Sequence, residues 1–198
     1  MTDREEELQD LVKRAQGGER AAIGALYDRL AARVYRFALF RVGNRPDAED
    51  LMQRTFLKMI EALPRYRLSG IPFEAWLFRV ARNGAVDLLR ARRSHEPLET
   101  AVETHSTEPG PEVSAELAVE FATVERALRS LTPEQQDVIA YRFMAELSPR
   151  EVGRIMGKRE GAVRALQFRA LELLRAALGP SASPDGGVAD ELEPRFRP

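Results

Sequence analysis

Two short stretches of the sequence concentrate arginine, the side chain best suited to binding phosphate. Residues 76–93 contain five arginines and one aspartate, and residues 154–175 contain six basic and two acidic side chains. A guanidinium group stays charged and donates hydrogen bonds in a planar fork that matches phosphate oxygens. Such local patches matter more for nucleic-acid binding than the net charge of the whole chain, which is −1. Both stretches therefore predict contacts with a nucleic acid.

The first basic stretch has two distinct faces when it is drawn as a helix with 100° per residue. One face is apolar and carries Phe73, Leu77, Val80, Ala81, Gly84 and Leu88. The opposite face carries Arg79, Arg82, Asn83, Arg90 and Arg93. The positive groups on it repel each other unless an anion lies nearby, so this face predicts a polyanion partner. Trp76 lies at the boundary, where packing in the core is the plainer interpretation and stacking on an exposed base is the alternative.

The second basic stretch follows the pattern of a helix-turn-helix. The sequence Ser148-Pro149-Arg150-Glu151 is a capping box that begins a short helix, and Gly157 ends it. A basic helix follows, and its early residues Gly161, Ala162 and Ala165 are small enough to allow close approach to DNA. A short capped helix, a turn and a basic helix predict major-groove binding. The alternative is an ordinary helical hairpin whose basic side chains are only solvated.

The residue types also exclude several kinds of chemistry. The chain has no cysteine, so disulfides, cysteine zinc sites and a cysteine nucleophile are excluded. Its two histidines, His95 and His105, fall in a predicted linker segment and predict no catalytic or metal site. The acidic, polar start Met1–Gln16 does not resemble a signal sequence, and no apolar run approaches the roughly 20 residues that span a bilayer. We expect a cytoplasmic protein with no cofactor, no metal, no membrane insertion and no catalytic residue.

Apolar residues recur every three or four positions, which predicts helices nearly throughout. The predicted N-terminal helices are Glu5–Gln16, Arg20–Val42, Asp47–Leu63 and Pro72–Arg93. No lysine or arginine occurs between His95 and Glu125, where glutamate, threonine and proline predict an extended linker. The predicted fold class is all-α, with two small helical domains joined by a flexible acidic linker. The predicted bounds are 1–93 and 115–178 for the domains, 94–114 for the linker and 179–198 for a disordered tail.

Several motifs resemble extracytoplasmic-function (ECF) sigma factors of the sigma-70 family. Residues 47–57, DAEDLMQRTFL, and residues 73–83, FEAWLFRVARN, resemble the second conserved region of that family. Residues 131–136, LTPEQQ, 148–152, SPREV, and 161–171, GAVRALQFRAL, resemble the fourth. Their order and spacing agree over Glu19–Leu178, which is most of the chain.

The resemblance implies a non-catalytic subunit that binds core RNA polymerase and directs promoter recognition and melting. The implied partners are the clamp helices and flap of the large catalytic subunit, promoter DNA and an anti-sigma factor. The implied polymerase contacts are Asp47, Glu49, Asp50, Gln53 and Phe56. The implied contacts with the minus-ten element are Arg67, Leu68, Ser69, Trp76, Arg79, Arg82, Asn83, Asp87, Arg90 and Arg93. The implied contacts with the minus-thirty-five element are Arg150, Lys158, Arg159, Ala162, Arg164, Ala165, Phe168 and Arg169.

The chain departs from the family pattern at a few positions. Gly84 lies mid-helix, where glycine costs about 1 kcal/mol against alanine unless another helix approaches closely. Arg54 stands where the family often has an acid, and Ala162 replaces a common threonine or serine. Leu166-Gln167 replaces a commoner basic residue followed by leucine, which leaves the base-reading residues open.

Two other functions fit parts of the sequence. A helix-turn-helix regulator that binds duplex DNA as a dimer would share the C-terminal motif, but it would not require the acidic group Asp47–Asp50 or the helix carrying Trp76 and Asn83. A nucleic-acid enzyme is disfavoured, because the histidines lie outside any cluster and the acidic group is better explained as a helix N-terminus or a protein contact.

Overall fold

The computed structural model of the chain describes residues 3–67, 71–95, 123–124 and 126–178, and every regular element in these ranges is a helix. The predicted all-α fold class is therefore confirmed. None of the described helices is both long enough and apolar enough to cross a membrane. The predicted tail and most of the predicted linker lie outside the described residues, so the domain bounds stay a prediction.

Glycine, proline and asparagine divide the N-terminal half into four helices. These are α1 (Asp3–Gln16), α2 (Arg20–Val42), α3 (Arg45–Ala62) and α4 (Phe73–His95). Gly43 ends α2 in the left-handed conformation, at φ 77°, and its N–H donates to the Leu39 carbonyl. Asn44 then caps α3 by accepting a hydrogen bond from the Asp47 N–H. A 3-10 turn, Leu63–Arg65, follows α3.

The described residues of the C-terminal half form four shorter or medium helices. Residues 123–124 and 126–129 are helical and are called α5 here. They precede α6 (Pro133–Ile139), a π-helical turn (Ala140–Met144), α7 (Pro149–Met156) and α8 (Glu160–Leu178). Complete capping boxes begin α6 at Thr132 and α7 at Ser148, and the second is the one predicted from the sequence above.

One hydrophobic core continues from the N-terminal helices into the C-terminal ones. Phe37 of α2 stacks on Tyr141 of the π-helical turn with ring centroids 5.4 Å apart, and it packs on Phe78 of α4 at 5.5 Å. All three rings are fully buried. Burying a large apolar side chain contributes roughly 1.5–3 kcal/mol, so this contact holds the two halves together. The sequence predicts two helical domains but carries no sign that they pack directly on each other.

A buried arginine also connects the two halves. Arg33 of α2 is 5% exposed, and its Nε donates to the Ala145 carbonyl at 3.0 Å. Its Nη1 lies 2.7 Å from the Glu74 carboxylate of α4. Close by, Arg36 pairs with Glu146 at 2.6 Å, and Glu146 adopts the left-handed conformation with φ 55°. Arg33 therefore satisfies groups from both halves of the chain at one buried point.

The close approach of α3 to α4 explains why residue 84 is a glycine. A Cβ atom at this position would lie 2.7 Å from Cδ1 of Leu51, which is 1% exposed. Any larger residue requires the buried Leu51 side chain to move. The helix-propensity cost of glycine is therefore offset by tighter packing between these two helices.

Candidate nucleic-acid interface

The burial of side chains on α4 agrees only in part with the two faces predicted for this helix. Phe73, Leu77 and Ala81 are buried, whereas Val80, Gly84 and Leu88 are only half-buried. Burial of α4 extends beyond this predicted face. Phe78 is fully buried because it contacts Phe37 and lies under the Arg33 guanidinium, 5.4 Å from the ring centroid. Helix α2 therefore covers a side of α4 that the isolated helix pattern assigns to neither face.

The polar face of α4 is divided between exposed and covered side chains. Asn83, Asp87 and Arg90 are exposed, and Arg79 is half-buried. Arg82 is half-buried and donates from Nε to Asp137 Oδ2 of α6 at 2.8 Å. That hydrogen bond raises the pKa of Arg82, so the carboxylate holds the guanidinium in its charged form. The side chain of Arg93 lies outside the described part of the chain.

A cavity of about 590 Å³ lies between the end of α3 and the start of α4. Its lining includes Arg65, Tyr66, Arg67, Ile71, Trp76 and Arg79. The Tyr66 and Trp76 rings lie 5.1 Å apart, and both pack on Phe73 at 5.3 and 5.6 Å. Trp76 thus packs against the core and also borders the cavity. Packing in the core and stacking on an exposed base are therefore compatible for this residue. Leu68 and Ser69, the other predicted loop contacts, lie outside the described residues.

Tyr66 is a cavity residue that the sequence pattern did not single out. Gln16 donates to the carbonyls of Leu63 and Tyr66, at 3.0 and 2.6 Å, and fixes the chain before the cavity. The Tyr66 hydroxyl donates to the Ile71 carbonyl at 3.0 Å, and burial raises its pKa. An aromatic residue flanked by Arg65 and Arg67 resembles the Trp76-Arg79 pair and is the sequence signal that could have identified it.

The helix-turn-helix forms as predicted, through a very tight turn between α7 and α8. Gly157 adopts φ 65° and its N–H donates to the Gly153 carbonyl. A Cβ atom on Gly153 would lie 2.6 Å from the backbone oxygen of Lys158. Glycine is therefore required where the turn passes over α7.

The predicted DNA-facing residues of this motif lie mostly on its surface. Lys158 is half-buried and pairs with Glu134 at 2.9 Å. The exposed predicted residues are Arg150, Arg159, Ala162, Arg164, Ala165, Phe168 and Arg169. Phe168 is 64% exposed, which is unusual for a large apolar side chain. The structure therefore brings together one accessible face of α8 that carries most of this set.

The unusual pair Leu166-Gln167 has an internal role. Leu166 is half-buried and packs against the main core. Gln167 accepts a hydrogen bond at 2.9 Å from Arg142 of the π-helical turn, which also donates to the Leu147 carbonyl. These two residues position α8 against the rest of the motif.

The predicted polymerase-binding surface on α3 is exposed at two of its five residues. Glu49 and Gln53 are exposed, and Asp47 and Asp50 are half-buried. Asp47 pairs with Arg92 of α4, and Asp50 pairs with Arg54 at 2.8 Å, so Arg54 neutralises the neighbouring acid.

Phe56 does not lie on that surface. It is 5% exposed because it packs on Tyr27, with ring centroids 4.7 Å apart. A direct contact between Phe56 and a partner is therefore not available in this arrangement. On the same helix Leu57 and Ile60 are 59% and 44% exposed.

Comparison with known proteins matches both basic regions to one family. Residues 26–95 match the model of sigma-70 region 2, and residues 127–176 match that of sigma-70 region 4. The ECF RNA polymerase sigma factor BldN of Streptomyces coelicolor is 37% identical over 177 residues, covering 88% of this chain and 67% of BldN. SigD of Mycobacterium tuberculosis, another ECF RNA polymerase sigma factor, is 34% identical over 181 residues, covering 88% of this chain and 85% of SigD.

The chain belongs to the ECF RNA polymerase sigma factors. The sigma factor also resembles CnrH, solved in complex with the cytosolic domain of CnrY. The TM-score is 0.66 and the identity 26%, covering 87% of this chain and 97% of the other. The predicted family and function are confirmed: the protein directs RNA polymerase to promoters for transcription initiation. The region 2 match is what a dimeric helix-turn-helix regulator would lack, and it ends at His95, where α4 ends.

Proposed function

We propose that the sigma factor captures the melted minus-ten element with the cavity beside Trp76 and the adjoining polar face of α4. The observation that carries this proposal is the cavity itself, which has two aromatic rings in its lining and arginines around it. An unstacked base that stacks on an aromatic ring gains about 1–3 kcal/mol. The proposed contacts are Arg67, Leu68, Ser69, Trp76, Arg79, Arg82, Asn83, Asp87, Arg90 and Arg93.

Base capture of this kind supplies the free energy for promoter melting. The stacking lost between bases is offset by stacking on Tyr66 or Trp76 and by neutralisation of phosphates by arginine. The reaction breaks no covalent bond, so the sigma factor needs no catalytic residue and no cofactor of its own.

The exposed face of α8 reads the minus-thirty-five element in the major groove. Arg164 pairs with Glu160 at 2.7 Å, but both side chains are well exposed, so the pair is weak and the guanidinium is available to DNA. The small Ala162 and Ala165 allow the helix to approach the bases. The proposed contacts are Arg150, Lys158, Arg159, Ala162, Arg164, Ala165, Phe168 and Arg169.

The acidic face of α3 docks on the clamp helices of the large catalytic subunit, and region 4 contacts its flap. We assign the clamp contact to Asp47, Glu49, Asp50 and Gln53, and to the exposed Leu57 in place of the buried Phe56. An apolar residue beside acids suits a basic, amphipathic partner helix. The protein acts in the cytoplasm, on the nucleoid when it is bound to polymerase. An anti-sigma factor is a further partner, supported by CnrH having been solved with a second protein bound.

Asp50→Arg is expected to weaken association with purified core RNA polymerase by about tenfold, which corresponds to about 1.4 kcal/mol. The substitution reverses the charge of the docking face and places a second cation beside Arg54. The measurement is a titration of fluorescent core with the full-length chain.

The matched control is Asp10→Arg, because Asp10 also has an arginine four residues on, Arg14, at 3.6 Å, but lies on α1. The control is expected to bind core as the wild type does. Equal weakening by both variants would contradict the assignment of α3. No association of the wild type with core, together with tight duplex binding as a dimer, would instead favour a helix-turn-helix regulator.

A further inference from the structure

A single carboxylate from region 4 is buried between two arginines of region 2. Asp137 of α6 is 4% exposed. Its Oδ1 lies 2.9 Å from Nη1 of Arg41 on α2, and its Oδ2 lies 2.7 Å from Nη2 of Arg82 on α4. Each carboxylate oxygen therefore faces a different helix of the other region.

The surroundings of Arg41 and Arg82 show that these two arginines need an anion between them. The Arg41 side chain is 11% exposed, and two converging guanidinium groups without a counter-charge would be strongly unfavourable there. The Tyr141 hydroxyl beside them is buried without a hydrogen-bond partner. Burial raises the pKa of that hydroxyl, the charge of Asp137 adds to the rise, and Arg82, Arg41 and Arg79 oppose it. Arg41, Arg82 and Asp137 thus form an ion cluster in which one acid neutralises two cations.

The closed arrangement is incompatible with simultaneous contact to both promoter elements. The minus-ten and minus-thirty-five elements are about 25 base pairs apart, or roughly 85 Å at about 3.4 Å per base pair. In this structure α4 and α6 touch through the Arg82–Asp137 pair. The two regions must separate when the promoter is bound, and separation removes Asp137 from the two arginines.

We propose that Arg41 and Arg82 form an anion site that takes a backbone phosphate of promoter DNA in the open molecule, and that Asp137 occupies this site in the closed one. The proposal rests on the assignment of α4 to the minus-ten element. A phosphodiester carries one charge on two free oxygens, as a carboxylate does, and guanidinium groups bind either through charged hydrogen bonds. Arg82 lies next to the exposed Asn83 on α4, so the site adjoins the proposed DNA face. Closure and phosphate binding are mutually exclusive, and Asp137 is a built-in competitor of DNA.

The first test uses the free full-length chain and a fluorescent forked promoter DNA that is single-stranded over the minus-ten element. Asp137→Asn removes the competing charge and is expected to raise the affinity of the free chain for this DNA by about tenfold. The matched control is Asp28→Asn, which removes the same charge from an exposed acid on α2 away from the Arg41–Asp137–Arg82 cluster. An unchanged or lower affinity for Asp137→Asn, or an equal gain for the control, would overturn the proposal.

The second test uses the holoenzyme assembled with core RNA polymerase. Arg41→Gln is expected to weaken promoter binding about fivefold to tenfold and to reduce the salt slope of binding by about one, because one phosphate contact is lost. Arg41→Lys keeps the charge and should restore the slope, and Asp137→Asn should leave holoenzyme affinity within twofold. An unchanged slope for Arg41→Gln in a holoenzyme of normal composition would contradict the phosphate site.

The two tests also separate this proposal from the proposed function. If the wild-type chain fails to bind core, the assignment of α3 fails, but competition between Asp137 and DNA is still read in the free chain. If the holoenzyme forms and melts promoters normally while neither test shows an effect of its substitutions, the Arg41–Asp137–Arg82 cluster is only a structural ion pair. The assignment of a phosphate site is then wrong.

Discussion

Replacing Gly153 by alanine is expected to destabilise the helix-turn-helix by about 2 kcal/mol and to weaken recognition of the minus-thirty-five element. The new Cβ atom would lie 2.6 Å from the Lys158 backbone oxygen, and the neighbouring Lys158 N–H donates to the Gly153 carbonyl at 2.9 Å. A backbone atom held by its own hydrogen bond cannot move aside as a flexible side chain can. Overpacking of this kind costs typically 1–3 kcal/mol, which exceeds the roughly 1 kcal/mol that alanine gains in helix propensity.

Urea unfolding of the full-length chain, followed by circular dichroism, measures this effect. The control is Gly161→Ala in the same motif, because a Cβ atom there meets nothing within 4 Å. That variant should be as stable as the wild type or up to about 1 kcal/mol more stable. Equal stability of both variants would show that the turn tolerates a side chain at residue 153 and that the close approach does not exist in solution.

The substitution Arg33→Met is expected to lower the free energy of unfolding by about 3–5 kcal/mol, the largest loss expected from a single polar residue here. The methionine fills much of the space but leaves the buried Glu74 carboxylate and the Ala145 carbonyl without their donor. Glu74 has a side-chain exposure of 15%, so water compensates only in part. The cost comes mainly from the unpaired buried charge and less from the lost attraction.

A double-mutant cycle with Glu74→Gln tests that explanation. Removing the negative charge first should make the subsequent Arg33→Met change cheaper by about 1–3 kcal/mol. The exposed pair Arg54–Asp50 is the comparison, since Arg54→Met should change stability by less than about 1 kcal/mol. Strictly additive losses at Arg33 and Glu74 would show that the two side chains do not interact in the folded protein.

Local signals in the sequence identified the helices and their ends well. The Thr132 and Ser148 capping boxes, Gly43 and Gly157 each act through a few neighbouring residues, so their effect is readable from a short stretch. The family motifs then located the helix-turn-helix and the helix carrying Trp76. Long-range contacts were not readable in this way. The burial of Phe78 depends on Phe37 and Arg33, which come from a distant part of the chain.

The same limitation explains the site residues that were misjudged or missed. Phe56 is apolar at a helix position that also fits a docking face, and only the neighbour Tyr27 shows that it is buried. Gln167 departs from the family pattern and leaves the base-reading residues open, and only its partner Arg142 shows that it has an internal role. Arg41 carries no motif at all, and its importance follows only from Asp137 lying 2.9 Å away. In each case the deciding partner is more than 20 residues distant in sequence.

The proposed opening of promoter DNA by region 2 is measured most directly by permanganate footprinting of thymines. Core RNA polymerase with the full-length sigma factor should make minus-ten thymines reactive on a promoter that the sigma factor transcribes. Asn83→Ala should reduce this reactivity about tenfold while changing duplex promoter binding less than about threefold, because we propose that the exposed Asn83 contacts the melted strand. Reactivity equal to wild type for Asn83→Ala would contradict the assignment of Asn83, and no reactive thymines with the wild type would contradict promoter opening by region 2.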